Sequence, residues 1–193
     1  KMGVALAAAA WRRGAEVTLV HGPLQVAVPV GVRTLAVEST RDMAAAVDAE
    51  LPDADVLVMA AAPADYRPAQ VAGQKLKRAE GALALALEAT PDILGATHAR
   101  RKPGAVVVGF ALETTDLEAN ARGKLARKDL DLLVLNDATE PGAGFGVDTN
   151  RVTLFDREGG VEPLALMAKG YVADAILDRV ERRISTTARA ARG

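Results

Sequence analysis

Three unbroken apolar runs set the tightest limit on the fold: DVLVMAA at 55–61, AVVVGFALE at 105–113 and LLVLNDA at 132–138. A strand with one wet face alternates apolar and polar residues, so runs that are apolar throughout belong to strands buried on both faces. Helix-period segments separate them along the chain, which is the βαβ rhythm of a parallel sheet packed against helices. The available filling agrees. Half of the 193 residues are apolar but only 3% are aromatic, so the core must be built from Ala, Val and Leu. A chain of this length buries roughly 70% of its unfolded surface, enough for one substantial core.

The rhythm begins with a helix over 2–13 closed by Gly14, then a strand over 17–20 ending at His21-Gly22-Pro23. That is the second half of a βαβ unit, so a first strand and its turn are expected upstream of Lys1. Residues 32–37 form the next strand, and Ser39 or Thr40 caps a helix over 41–51. The pattern breaks over about 70–90, where VAGQKLKRAEG leads into LALALEA (83–89), as in a flap or an added antiparallel strand. It resumes with Thr90 as cap, Pro91 at the first helical position and Asp92 in the first turn of a helix carried by 93–101. Leu117, Ala121 and Leu125 stripe a helix over 116–128, and RVTLFD (151–156) is a further strand. A last helix over about 163–184 keeps Leu164, Met167, Tyr171, Ala175 and Val180 on one face, leaving a frayed tail over 185–193. With no internal repeat and no linker, the chain reads as one α/β domain over 1–193.

The net charge of -1 gives no overall attraction to nucleic acid or anionic lipid. No apolar run approaches the roughly 18 residues of a membrane-spanning helix, and no secretory leader is visible, so a cytoplasmic setting is expected. Cysteine is absent and His21 and His98 are the only histidines, which excludes thiol nucleophiles, disulfides and thiolate or histidine-rich metal sites.

In an open parallel sheet, ligands bind beyond the carboxyl ends of the strands. Ala60, Ala61, Ala62 and Ala64 either leave room for a flat group near the backbone or reflect general alanine usage. Asp65 is either a ligand for a ribose hydroxyl or a metal ion, or a turn residue paired with Arg67. Lys75, Lys77 and Arg78 make either a solvated loop or a mobile one that closes cations over phosphates. Lys124 and Lys128 stand four apart on a helix, as a solubilising face or as two arms for an anion. Pro91, Asp92, Ile93 and Leu94 open a helix whose amino end also offers N–H groups, as does the first helix at Lys1 and Gly3. Phe110 is a core residue by default. No helix follows the glycines at 142, 144 and 146, so GAGFG is not a dinucleotide fingerprint and a nicotinamide oxidoreductase is disfavoured.

KMG at 1–3, GAEVTLVHGP at 14–23, AAAPADYRPA at 60–69, KLKR at 75–78, TPDIL at 90–94, VGFALET at 108–114, the pair Lys124 and Lys128, and LNDA followed by GFGVDTN stand in one order. In that order and spacing the chain resembles the phosphopantothenoylcysteine synthetases, the CoaB half of bacterial bifunctional coenzyme A flavoproteins. The resemblance implies a Rossmann-like three-layer αβα fold with a mainly parallel sheet and a small antiparallel flap used to form a homodimer. It implies a ligase that activates the carboxylate of 4'-phosphopantothenate with CTP as an acyl-cytidylate, with Mg²⁺ on the triphosphate, and then joins cysteine. Carried over by position, Lys75 is catalytic, and Ala60, Ala61, Asp65, Lys75, Pro91, Asp92, Ile93, Leu94, Phe110, Lys124 and Lys128 contact the nucleotide. Ala62 and Gly3 contact the substrate, and the metal ligands are unknown. The family's Asn-bearing, Gly-rich loop is expected before Lys1, and FMN only if a flavin decarboxylase domain lies upstream. Pro63 and Arg78 depart from the family motifs; Pro63 fixes the local backbone, and Arg78 keeps the charge. The alternative is a non-catalytic dimerisation or regulatory module of a larger protein.

Overall fold

The computed structural model describes residues 1–77, 82–113, 116–137, 142, 144 and 146–190. In chain order it runs α1 (Met2–Arg12), β1 (Thr18–His21), β2 (Arg33–Ala36), α2 (Thr40–Glu50), β3 (Val56–Met59), β4 (Tyr66–Pro68) and β5 (Leu87–Ala89). It continues with α3 (Ile93–Ala96), β6 (Val106–Glu113), α4 (Leu117–Arg127), β7 (Leu132–Asp137), β8 (Thr149–Asn150), β9 (Val152–Asp156), β10 (Val161–Pro163), β11 (Met167–Ala168) and α5 (Lys169–Ala190).

The three apolar runs lie side by side. β3, β6 and β7 are parallel neighbours in a five-stranded sheet of order β10-β9-β7-β6-β3, and β1 and β2 form a separate parallel pair. The parallel reading stops at β7, because β9 and β10 run antiparallel. Between β7 and β9 the described residues contain no crossover helix, and only such a crossover would return the chain parallel. Two small antiparallel ribbons, β4–β5 and β8–β11, complete the strands. Among the described residues no helix is long and apolar enough to cross a membrane.

Helices cover both faces. Val106, Val108, Leu132, Val134, Val152 and Leu154 pack against Leu6 and Ala9 of α1 and Val172, Ile176 and Val180 of α5. The alternate residues Val107, Ala111, Leu133 and Leu135 pack against Leu94 of α3 and Ala121 and Leu125 of α4, the stripe expected from the sequence. Met43 and Val47 of α2 extend that second face with Ile93. The period of two along each strand therefore assigns each side chain to one layer of an αβα sandwich.

Local signals explain most boundaries. α1 ends where Gly14 adopts φ 86° and the Ala15 N–H bonds back to Ala10, a left-handed cap that costs least at glycine. Of the two cap candidates before α2, Ser39 is used: its Oγ accepts from Asp42 N–H at 3.1 Å while Asp42 accepts from Ser39 N–H at 3.0 Å.

Several expectations need correction. Asp92, not Thr90, caps α3, its Oδ1 accepting from Gly95 N–H at 3.1 Å, because the Thr90 hydroxyl is committed to the Ala64 carbonyl at 2.5 Å. α3 spans only four residues before a separate 3₁₀ turn at His98–Arg100. LALALEA forms a strand only at Leu87–Ala89. The last helix starts at Lys169, so Leu164 and Met167 precede it; its buried stripe is Val172, Ala173, Ile176, Leu177 and Val180, and Tyr171 is exposed. Strand β11 (Met167–Ala168) lies inside the segment expected to be helical, and α5 continues to Ala190, through most of the tail expected to fray.

Candidate active site

Register brings three carboxyl ends to one edge. Met59 pairs with Gly109 and Leu112 with Asn136, so Ala60, the segment Phe110–Glu113 and Asn136 line the same side of the sheet. α1 points its first turn at that edge, close enough that a Cβ on Gly3 would touch the Ala60 Cβ at 3.8 Å. Ala60 and Phe110 both pack toward the α1 and α5 layer, so the Phe110 ring is partly buried beside this edge. Ala61, Ala62 and Ala64 are exposed, as is Asp65. The backbone carbonyl of Asp65 accepts from Thr90 N–H at 2.9 Å, which sews the 60–65 segment to the start of the 90–94 segment. Arg67 does not pair with Asp65; it reaches Glu88 across the β4–β5 ribbon, with Nε 2.7 Å from Oε1, because antiparallel register sets those two residues opposite one another.

The other predicted residues gather on the α3 and α4 layer. Ile93 and Leu94 are 5% and 7% exposed, so their side chains belong to the core and leave mainly backbone to a ligand. Leu94 reaches the sheet because residue 109 is glycine: a Cβ there would meet Leu130 Cδ1 at 2.6 Å and Leu94 Cδ2 at 3.3 Å. Asp92 faces Lys128, Oδ1 to Nζ 2.9 Å, and Lys124 lies 3.7 Å from Glu113. The two lysines expected to grip an anion are thus each matched by a carboxylate. These partners were not anticipated, since Asp92 and Lys128 are 36 residues apart and no local spacing reveals them.

Partial burial works against the charged form of Asp92, but the Lys128 ammonium and the Gly95 N–H outweigh it and hold the carboxyl below its ordinary range. A carboxyl whose pKa falls on folding stabilises the fold wherever it is ionised, and that contribution is lost as the pH drops below about 4 through the lowered value. A carbon-detected NMR titration should therefore place Asp92 below the ordinary aspartate value in the wild type and nearer to it in Lys128→Met.

A second pair of cations serves the glycine-bearing segment before β8. Lys1 Nζ donates to the Gly146 carbonyl and to Asp148 Oδ1, each at 2.8 Å. Lys169, 5% exposed, donates to the carbonyls of Gly144, at 2.7 Å, and Val147. Burial first, then the nearby Lys1 charge, push Lys169 below the ordinary lysine value, against the opposing attraction of Asp148. The Lys1 ammonium lowers the Asp148 carboxyl. Asn150, 3% exposed, donates to Asn136 Oδ1 at 2.7 Å and fastens the same segment to β7. Lys169, Asp148 and Asn150 were missed by sequence reasoning, although GFGVDTN includes two of them.

Lys75 stands apart. It is exposed, outside helices and strands, and has no ion pair or hydrogen bond among the described residues. Arg78 lies outside the described residues. The predicted set therefore forms two banks along one sheet edge: Gly3, Ala60 and Phe110 on the α1 side, and the 91–94 segment, Lys124 and Lys128 on the α4 side. Asp65 and Lys75 lie on the chain that leaves this edge from β3.

Such an arrangement defines an α/β protein that carries small residues and two lysines along the carboxyl edge of its sheet, the edge at which ligands of this architecture bind. The chain belongs to the family described as DNA/pantothenate metabolism flavoprotein C-terminal domain, whose model matches residues 1–184. It is 42% identical over 181 residues to the coenzyme A biosynthesis bifunctional protein CoaBC of Bacillus subtilis strain 168, covering 93% of this chain and 44% of that protein. The chain spans about half the length of the curated relatives it matches, 50%, 45% and 44% for three of them. The crystal structure of a CoaBC C-terminal domain superimposes with a TM-score of 0.80 at 36% identity, covering 96% of this chain and 83% of that one. A Cab2 variant in complex with phosphopantothenate-cysteine shares the fold, with a TM-score of 0.66 at 16% identity over 84% of this chain and 56% of that one.

Proposed function

We propose that this chain is a phosphopantothenate–cysteine ligase of coenzyme A biosynthesis, using CTP. The observation that carries the reading is the two-bank edge: small residues at Gly3 and Ala60 admit a ligand to the backbone, and Lys124 and Lys128 stand opposite with displaceable carboxylate partners. Similarity to CoaBC over nearly the whole chain supports the same chemistry, and the complex of the Cab2 variant supports the same product.

The reaction couples two displacements. A carboxylate oxygen of 4'-phosphopantothenate attacks the α-phosphorus of CTP, forming a P–O bond as the bond to pyrophosphate breaks. The cysteine amine then attacks the activated carbonyl carbon, CMP leaves with the bridging oxygen, and the amine proton is lost to form the amide. A site for this reaction must neutralise several anions. Lys124 and Lys128 take nucleotide phosphates, and exchange of Asp92 or Glu113 for phosphate conserves each ion pair. Lys75 closes over the reacting phosphate from its exposed segment. Asp65 and the backbone of Pro91–Leu94 hold the nucleoside, Phe110 and Ala61 bound it, and Ala62 and Gly3 face the pantothenate. Among the described residues no three histidine or acidic side chains gather as a metal cage. Magnesium does not require one, since it is commonly held by one or two carboxylates together with phosphate oxygens and water. When bound it would neutralise triphosphate charge, and Asp65, Asp92 and Glu113 are the carboxylates that this edge could offer it.

Dimerisation belongs to the same proposal. Tyr66, Leu83, Leu85 and Leu87 are 63%, 79%, 62% and 55% exposed on and beside the β4–β5 ribbon, an apolar surface suited to a second copy of the chain. A fused flavin decarboxylase domain is part of the same proposal, supported by a chain that matches about half the length of relatives named as bifunctional. The test is pyrophosphate release by the full-length protein with phosphopantothenate, cysteine, Mg²⁺ and each nucleotide in turn. Release with CTP and not ATP is expected; no release with any nucleotide overturns the reading in favour of a non-catalytic module.

A further inference from the structure

We infer that Arg101 is a positioning residue: its guanidinium locks the backbone of the 91–94 segment to the carboxyl end of α4 and thereby sets where Lys124 and Lys128 stand. The inference rests on the proposed role of those lysines as phosphate contacts.

Arg101 differs from the cations beside it. Arg100 and Lys102 form surface pairs with Asp48 and Asp55, whereas the Arg101 side chain is only 8% exposed. Burying a guanidinium is costly unless its N–H groups are satisfied. Here Nη2 donates to the carbonyls of Leu94, at 3.2 Å, and Lys128, at 3.1 Å, and Nη1 donates to that of Asp129 at 2.6 Å. Nε donates to Thr97 Oγ1 at 3.0 Å, and the fully buried Thr97 hydroxyl donates in turn to Leu94 O at 2.7 Å. One planar fork thus bridges two segments whose side chains meet again at Asp92 and Lys128.

The α4 terminus needs such a partner. Leu130 N–H bonds to Leu125 O at 3.0 Å and Asp129 N–H to Ala126 O at 3.3 Å, with Asp129 at φ 47°, a left-handed cap usually occupied by glycine. The last carbonyls of a helix carry partial negative charge, and Arg101 answers it at Lys128 and Asp129. His98 and Arg101 also lie 3.1 and 3.6 Å from the Asp129 carboxylate, and Arg157 pairs with it. The two links differ in kind. Asp92–Lys128 joins side chains at the surface and can exchange for a phosphate, while Arg101 binds main-chain carbonyls and stays in place when that exchange occurs.

The test compares Arg101→Gln and Arg101→Lys in the full-length protein, reading steady-state constants and residue-resolved amide exchange. In Arg101→Gln the KM for CTP should rise about tenfold, the scale of one charge-assisted hydrogen bond, with kcat and the KM for cysteine within about twofold. Exchange at Gly95, Asp129 and Leu130 should accelerate. Arg101→Lys keeps the charge without the fork and should show the same split at a smaller scale, which covers poor folding of the Gln variant. An unchanged KM for CTP with faster exchange overturns the positioning role, as does a fall in kcat alone. If the wild type turns over no nucleotide, the functional reading fails on its own, and unchanged exchange at those amides separately overturns the clamp.

Discussion

Lys75→Gln is expected to lower kcat by about 10²-fold or more while leaving the melting temperature unchanged, because a preorganised cation acting on developing phosphate charge contributes on that scale. The reason for the clean separation is structural. Lys75 is exposed, lies outside the helices and strands, and is held by no ion pair or hydrogen bond among the described residues, so no contact described for the fold depends on it. Steady-state kinetics together with a thermal melt decide the matter. Turnover at the wild-type rate removes Lys75 from the chemistry, and a loss of turnover accompanied by a loss of stability makes it a structural residue.

Leu133→Ala has the opposite signature. Leu133 lies in the middle of β7, is 0% exposed, and packs in one cluster with Leu94, Leu125 and Leu130. Truncation removes buried methyl groups and leaves a cavity between the sheet and the α3 and α4 layer, a loss of about 3 kcal/mol. For a chain of this size each kcal/mol moves the melting temperature by about 2–4 °C, so a fall of about 6–12 °C is expected in calorimetry. Val71→Ala, at a residue 89% exposed, should stay within about 0.5 kcal/mol of the wild type. If the two variants melt alike, the core described for that face is wrong. The cavity also lies beneath Leu94 and Leu125, so it should loosen the two segments that carry Asp92 and Lys128.

Some of this was legible in the sequence for clear reasons. β3, β6 and β7 announced themselves as unbroken apolar runs because both of their faces are covered, and α4 did so through the stripe Leu117, Ala121 and Leu125. Gly14 marked the end of α1 because few other residues accept its backbone angle. The failures share a cause. Thr90 and Asp92 are equally competent caps, and only the Ala64 carbonyl, 26 residues away, decides between them. Leu164 and Met167 fit a helical period yet stand before α5, and the true stripe is displaced from the one containing Tyr171. Local pattern fixes the period of an element more firmly than its start.

The site divides in the same way. Ala60, the residue after β3, could be placed at the edge from the βαβ order alone, whereas Phe110 lies inside β6, which runs on to Glu113 beyond the end of β3. The partners of the lysines could not, because Asp92 with Lys128, Glu113 with Lys124 and Arg101 with Leu94 and Lys128 arise from tertiary folding of α3 onto α4. Those pairings set two ion pairs, Asp92 with Lys128 and Glu113 with Lys124, along this edge.

The central claim is that this chain activates a carboxylate by attaching a nucleotide to it, and the fate of one oxygen tests that most directly. Phosphopantothenate labelled with ¹⁸O in its carboxylate is turned over with CTP and cysteine, and the CMP released is weighed by mass spectrometry. One ¹⁸O should appear in the CMP phosphate, delivered when the amine displaces the bridging oxygen. Amide product accompanied by unlabelled CMP, or no product at all, would contradict the account.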